Sequence, residues 1–317
     1  MSPTENDFIP IRVSTLRGDQ PTLFDVFVRV AGKHILYCRQ GDSFDETRLE
    51  RLKEKKIKQL FIRTAAETYY RAYLSKNIDL AYRKSAGKPI ETRAQIVQGL
   101  QQAATEDVLE NPDSKIHYEV FKTDTGKYVE FVLQEDQALK CVLNIKNDNS
   151  SVAHHGVNVA SLAISLATHL GHKETSILHL LATGCLLHDI EHMHSGLDIN
   201  RPLGDMTPQE IDLYRKHSDA GVARVQETKF YDQLVLKIMR FHHEQINGSG
   251  FPDKLKEADL HPMVLIASVA DSYDRLITYE GITPKEAVKK LLIDKVGLHP
   301  LSMIQGLAAL LKQKGVV

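Results

Sequence analysis

Residues 180–192 read LLATGCLLHDIEH, and with Ile177 just upstream they decide how the second half of the chain folds. Ile177, Leu181, Gly184 and His188 fall on one face of an α-helix. Asp189 follows at once. A titratable pair at the end of an apolar helix face is costly to bury without partners. Suitable partners stand in the flanking segments.

Upstream, HHGVNVASLA (154–163) opens a helix with Val159, Leu162, Ala163, Leu166 and Leu170 in one stripe, His155 at its head and Gly171 closing it. Downstream, Thr207-Pro208-Gln209-Glu210 is a capping box with proline at the first helical position. The inward stripe there is Ile211, Tyr214, His217 and Gly221. A fourth helix carries Leu234 and Ile238 into His242-His243. A fifth begins near Pro262 and brings Ala267, Ser268 and Asp271. Neighbouring residues on a helix diverge by about 100°, so His242 and His243 can serve one metal only near a helix end, which Gly248 and Gly250 are expected to supply.

One histidine on an apolar face is most often a hydrogen-bonded core residue. Four histidines and an aspartate, each buried in an apolar stripe, point instead to a shared metal centre. Imidazole and carboxylate ligands suit Fe, Mn, Zn or Ni, with no thiolate preference. Of the 15 histidines only His34 and His117 precede residue 154, so the chemistry is confined to the second half. His169, His172, His179, His261 and His299 have no comparable context. His192 and His194 lie in the loop just beyond Asp189.

The first half reads as a mixed α/β module. LFDVFVRV (23–30), HILYC (34–38) and KQLFI (58–62) are strands, with a turn at Gly32-Lys33. Helices are expected over 43–55, from Ala65 to about Lys84, and from about Glu91 to Glu110. YEVFK (118–122) and KYVEFVL (127–133) form either a hairpin about Asp124-Thr125-Gly126 or part of a helix. No phosphate loop, Gly-rich dinucleotide motif or paired histidine occurs here. NIKNDNSSV (144–152) marks the boundary, giving domains 1–147 and 148–317.

A chain of 317 residues suits two domains. Its formal net charge of -1 provides no global attraction to DNA or an anionic membrane. No apolar run approaches the roughly 18 residues of a membrane span, and MSPTENDFIP is not a signal peptide. Cys38, Cys141 and Cys185 are odd in number and far apart, so they imply no disulfide framework and a reducing cytoplasm is expected.

These motifs carry a resemblance. LLATGCLLHDIEH resembles the LLHDIGK segment of the HD-GYP subfamily of HD phosphohydrolases, and HHEQINGSGFP (242–252) is similar to that subfamily's HHE…GxGYP stretch. HHGVNVASLA, MTPQEIDLYRKHSDAG (206–221) and SVADSYDRL (268–276) match the remaining blocks in order, covering 150 to about 290. The resemblance does not cover the N-terminal half; it implies an all-α HD-type bundle around a binuclear metal site, often fed by an N-terminal regulatory or interaction module, and with the mixed first half the chain is expected to be α+β overall. It implies His155, His188, Asp189 and Asp271 on one metal, and Asp189, His217, His242 and His243 on the other. Two divalent ions are expected, iron first and manganese second.

The activity implied is that of a bacterial signalling phosphodiesterase. It hydrolyses cyclic di-GMP or a related nucleotide through hydroxide activated by two metals, with Asp189 and His192 as catalytic groups and GGDEF-domain proteins as partners. Phe251, Gly250, Arg215 and Lys216 are the expected substrate contacts. Several positions depart from the pattern. Glu191 and His192 replace the glycine and lysine of HDIGK, Phe251 replaces the GYP tyrosine, and Glu280 stands where members often have arginine. Ser151 replaces the glutamate of three-metal members. These departures keep a second reading open, a weakly catalytic signalling domain that binds nucleotide or a partner protein.

Overall fold

The computed structural model describes residues 7–18, 20–55, 57–82, 87–145, 152–201 and 203–317. The chain divides into two compact units, 1–103 and 104–317. The boundary expected at 147/148 falls on residues outside those described, as does Ser151.

In the N-terminal unit, β1 (Phe8–Arg12), β2 (Val26–Val30), β3 (Lys33–Cys38) and β4 (Gln59–Arg63) form one antiparallel sheet in the order β1-β4-β2-β3. The β2–β3 hairpin pairs Val30 with Lys33. Its turn is Ala31-Gly32, one residue earlier than expected, and both residues have positive φ (49° and 77°), as a tight hairpin turn requires. β1 was not anticipated. FIPIR is short and contains proline, which suits an edge position, and its strand character comes from pairing Phe8 to Arg12 with Arg63 to Gln59. Helices α1 (Glu46–Glu54) and α2 (Glu67–Tyr82) bring Leu52 and Tyr73 to a core of Ile11, Phe24, Val26, Leu60 and Ile62.

The division between the units falls within α3 (Ile90–Glu110). The segment left open between hairpin and helix is one helix, α4 (Lys115–Gln134). Tyr118, Phe121, Thr125, Tyr128, Val129 and Val132 are buried along it, a helical spacing that overrides the turn-like Asp124-Thr125-Gly126.

The second unit continues with α5 (Ala138–Leu143), α6 (Val152–His169), α7 (Thr175–Leu187), α8 (Pro208–Val225), α9 (Gln233–Phe241), α10 (Pro262–Thr278), α11 (Pro284–Asp294) and α12 (Leu301–Gln313). The capping box at Thr207 and Glu210 is present. α6 is buried almost all round, as befits a central helix, and packs against α7, α10, α12, α4 and α5. Gly156 permits the α6–α7 approach: a Cβ there would lie 2.8 Å from the Leu186 carbonyl oxygen. His155 and His188 stand beside that contact, one on each chain segment. The unit is helical throughout, so the chain is α+β overall. No helix among the described residues is long and apolar enough to cross a membrane.

Candidate metal centre

Five helical segments converge on one point. His155 comes from the first turn of α6, and His188-Asp189 from the end of α7. His217 comes from the middle of α8, His242-His243 from just past α9, and Asp271 from α10. α9 ends at Phe241: His242 is its C-cap, with helical dihedrals and its N–H donating to the Ile238 carbonyl, and His243 follows in the turn beyond. The end comes several residues before Gly248 and Gly250, which therefore do not terminate the helix.

Four of the imidazoles are oriented by a bond from Nδ1. His188 Nδ1 lies 2.6 Å from the Cys185 carbonyl and His242 Nδ1 2.9 Å from that of Met239. His217 Nδ1 meets the Tyr214 carbonyl. In each case the acceptor is three residues back. His155 Nδ1 instead meets Asp274 Oδ2 at 2.7 Å, and that carboxylate is itself held by Thr278 Oγ1 at 2.8 Å. With the proton at Nδ1, His188, His217 and His242 each present an Nε2 lone pair inward.

The inward atoms form two clusters. His155, His188 and Asp271 have ligand atoms within 4.8 Å of one another, as do Asp189, His217, His242 and His243. Asp189 addresses both. Its Oδ1 lies 3.2 Å from His217 Nε2 and 3.7 Å from His242 Nε2, and its Oδ2 lies 3.4 Å from His188 Nε2 and 3.8 Å from His155 Nε2.

These atoms are unstable as they stand. Both Asp189 oxygens and His188 Nε2 are buried without a hydrogen-bond partner. His217 Nε2 and His242 Nε2 approach to 3.2 Å although each ring donates its proton elsewhere, so two lone pairs face each other. A cation between them removes the repulsion and satisfies the oxygens at once. The buried cluster is therefore compatible with divalent metal.

The protonation states agree. Burial, with His188 and His217 beside it, lowers His242 to about 3, leaving it neutral. Burial also holds His243 well below its usual range. Burial works against ionised Asp189 and Asp271, yet the surrounding histidines hold both carboxyls well below the usual range. His155 differs: burial opposes its charge, but Asp271 and Asp274 outweigh it and lift the ring to about 9.

His192 lies inside the centre, in the 3₁₀ turn Ile190–Met193. It stacks on His217 with ring centroids 4.3 Å apart, and its Nε2 is 3.8 Å from Asp189 Oδ1. Both ring nitrogens are buried without partners, and burial drops it to about 3. Glu191 turns away and pairs with Arg224 through bonds of 2.9 and 3.0 Å.

Phe251 packs its ring 4.7 Å from that of His243. Gly250 is buried against the His243–Gln245 backbone. The loop carrying both is fastened by Glu244, whose carboxylate accepts from the backbone N–H of Asp253 (2.6 Å) and Leu255 (2.9 Å). Ile246 N–H donates to the Leu298 carbonyl at 3.0 Å, and Glu257 N–H to that of Ile246 at 3.2 Å.

Arg215 and Lys216 are not brought to the centre. Both are exposed, and Lys216 pairs with Asp212 at 2.6 Å. Tyr214 and His217, three apart, take the inward face of α8, so the two residues between them point elsewhere. Glu280 is likewise exposed. Asp274 is the inward residue that the sequence reading passed over. Its signal is the Asp-x-x-Asp spacing that puts it one turn after Asp271 on the same helix face.

The HD domain family model matches residues 152–276. A solved HDG"Y"P protein from Bdellovibrio bacteriovorus is 48% identical, covering 96% of this chain and all of that one, with a TM-score of 0.91. The chain belongs to the HD-GYP family. Among curated relatives, a cyclic di-GMP phosphodiesterase of Pseudomonas aeruginosa is 27% identical over 164 residues, half of this chain and 39% of that protein. A cyclic di-GMP phosphodiesterase of Thermotoga maritima is 29% identical over 166 residues, half of this chain and 45% of that one. The chain thus spans less than half the length of these two curated relatives.

Proposed function

We propose that the chain is a metal-dependent phosphodiesterase acting on cyclic di-GMP or a related cyclic dinucleotide. The observation that carries this is the pair of facing Nε2 atoms on His217 and His242 beside an unpartnered Asp189, in a chain of this family. Asp189, His217, His242 and His243 would hold one ion, and His155, His188 and Asp271 the other, with one Asp189 oxygen toward each. Iron is the first choice, by the family resemblance, and manganese the second; a ligand set of imidazole and carboxylate suits either. Bound there, two ions supply Lewis acidity toward a phosphate oxygen and lower the pKa of water.

The protein's own residues do the rest. Asp274 and the three backbone carbonyls fix the imidazole tautomers. His192 is proposed as a catalytic group by its position alone: both ring nitrogens are unpartnered among the described residues and Nε2 lies 3.8 Å from Asp189 Oδ1, where it can hydrogen-bond the attacking water or a phosphate oxygen. Phe251 offers a ring face on which a base can stack, next to His243. The N-terminal part, 1–147 on the sequence reading, is proposed as a regulatory or interaction module that includes GGDEF-domain proteins among its partners. A reducing cytoplasm suits the three free cysteines.

The test is turnover of cyclic di-GMP by protein purified anaerobically with iron or manganese, with elemental analysis alongside. Two equivalents of metal and formation of linear dinucleotide or GMP are expected. Tight binding without turnover would replace the enzyme by a nucleotide-binding signalling domain. Neither binding nor turnover would end the cyclic-dinucleotide reading.

A further inference from the structure

Arg275 lies one turn after Asp271 on α10, within the SVADSYDRL stretch, and has no role in the centre described so far. Its guanidinium carbon stands 5.2 Å from the ring centroid of Tyr214 and 5.0 Å from that of Tyr279. The two rings hold it as an aromatic clamp. Tyr214 reaches the centre directly, since its hydroxyl is 3.1 Å from His243 Nε2. Tyr279 does so as well, its ring 5.1 Å from that of His155.

The clamp leaves the cation without an anion. Among the described residues Arg275 makes no side-chain hydrogen bond or ion pair, and its Nη1 is buried with no partner. Tyr279's hydroxyl, on the adjoining ring, is also buried and unpartnered. A buried guanidinium N–H left unmade is expensive, more so than a neutral one. The field of Arg275 nevertheless reaches Asp189, Asp271, His192 and His243, so it sits at the centre rather than beside it. Asp189 and Asp271 cannot serve as its counter-charges if they are committed to metal. What the site then lacks is an anion with oxygens to accept from a planar donor, which is the chemistry of a phosphate group.

We propose that Arg275, held between Tyr214 and Tyr279, is the phosphate-binding residue of this chain, its free N–H donating to a non-bridging oxygen of the phosphodiester. This rests on the phosphodiesterase reading above. It also explains how the site tolerates Glu280: the guanidinium comes from α10, five residues earlier, and Glu280 lies past the end of that helix, exposed. Lysine would carry the charge but could neither stack between the rings nor present a planar pair of donors.

The experiment uses the metal-loaded full chain and its Arg275→Gln and Arg275→Lys variants. Inorganic phosphate binding is measured by calorimetry, metal content by elemental analysis, and kcat/KM on bis(4-nitrophenyl) phosphate. Arg275→Gln should bind phosphate roughly 10- to 100-fold more weakly, the loss of a charge-assisted hydrogen bond. Its kcat/KM should fall about 10²-fold or more. Arg275→Lys should lie between, and it keeps the comparison open if the glutamine variant does not fold. Metal content should match in all three.

Phosphate affinity unchanged in Arg275→Gln overturns the assignment, and so does a wild type that binds no phosphate. Loss of metal from the folded variants also overturns it, because the guanidinium would then be a structural counter-charge. If phosphate binding follows Arg275 but the wild type cleaves no diester, the Arg275 assignment stands and the phosphodiesterase reading fails. If the wild type cleaves the diester and Arg275→Gln does so equally well, the reverse holds.

Discussion

Replacing Gly156 by alanine adds one methyl group to the α6–α7 contact, and the structure sets two opposed effects against each other. Alanine in a helix interior is favoured over glycine by about 1 kcal/mol. The new Cβ would lie 2.8 Å from the Leu186 carbonyl oxygen, and 3.3 Å from both its carbonyl carbon and Cα. Ordinary carbon–oxygen contacts begin at about 3.3 Å, so the helices must part by roughly 0.5 Å. The obstacle is backbone and cannot swing aside. Overpacking of this kind costs about 1–3 kcal/mol, leaving a net loss of about 0–2 kcal/mol. For a unit this size that lowers the melting midpoint by about 2–4 °C per kcal/mol.

Gly126 provides the matched control within α4. A Cβ there meets nothing nearer than His179 Cε1 at 3.6 Å, an ordinary contact, so Gly126→Ala should stabilise by the full propensity term. Thermal and urea denaturation of the two variants should therefore shift in opposite directions at unchanged m-value. The helix displacement should also loosen metal in Gly156→Ala alone, because His155 and His188 flank the contact. A Gly156→Ala protein that gains as much stability as Gly126→Ala, with metal content intact, would refute the claim that this glycine sets the helix spacing.

Other consequences can be measured directly. Asp274→Ala removes the acceptor that orients His155, so metal affinity should fall about 10- to 100-fold at the cluster of His155, His188 and Asp271. Chelator competition reads this, and an unchanged affinity would show that Asp274 orients nothing. His155 is lifted to about 9, so at pH 7.5 the metal-free ring is protonated, and ligation must expel that proton. Calorimetry in buffers of different ionisation enthalpy should reveal about one proton released per chain, and no buffer dependence would contradict it. Asp189→Ala should empty both clusters, whereas His217→Ala should chiefly empty one. Equal metal loss in the two variants would speak against Asp189 addressing both clusters. Glu244→Ala frees the Asp253 and Leu255 amides and should destabilise by about 1–3 kcal/mol. A stability within error of wild type would mean that water replaces the carboxylate.

The seven side chains of the centre were legible because helices announce themselves by period. Each residue closes or heads an apolar stripe, and the HD and HHE blocks fix the order. Residues whose role depends on geometry between helices were not. Asp274 and Arg275 look like ordinary charged residues of a surface helix, and only the positions of His155, Tyr214 and Tyr279 give them meaning. Arg215 and Lys216 drew attention through adjacency to His217, but adjacency along a helix means divergence in space. β1 was invisible because its strand character lies in its partner. The sequence of α4 was ambiguous because turn-prone residues sit within it. Phe121, Thr125 and Tyr128, all buried, resolve it once the helix has something to pack against. α11 and α12 carry no histidine, so attention to the histidine-bearing stripes stopped short of them.

The Glu244 tether has a bearing on entropy. The loop that bears Gly250 and Phe251 is tied at Asp253 and Leu255 to one buried carboxylate, and at Ile246 to both Leu298 and Glu257. A segment so fastened has already lost the freedom that a lid would surrender on closing. A ligand settling against Phe251 therefore meets a wall, and little of its binding energy is spent on ordering the protein. Discrimination at this edge of the site should come from shape, visible as affinities that change steeply with the size of the base.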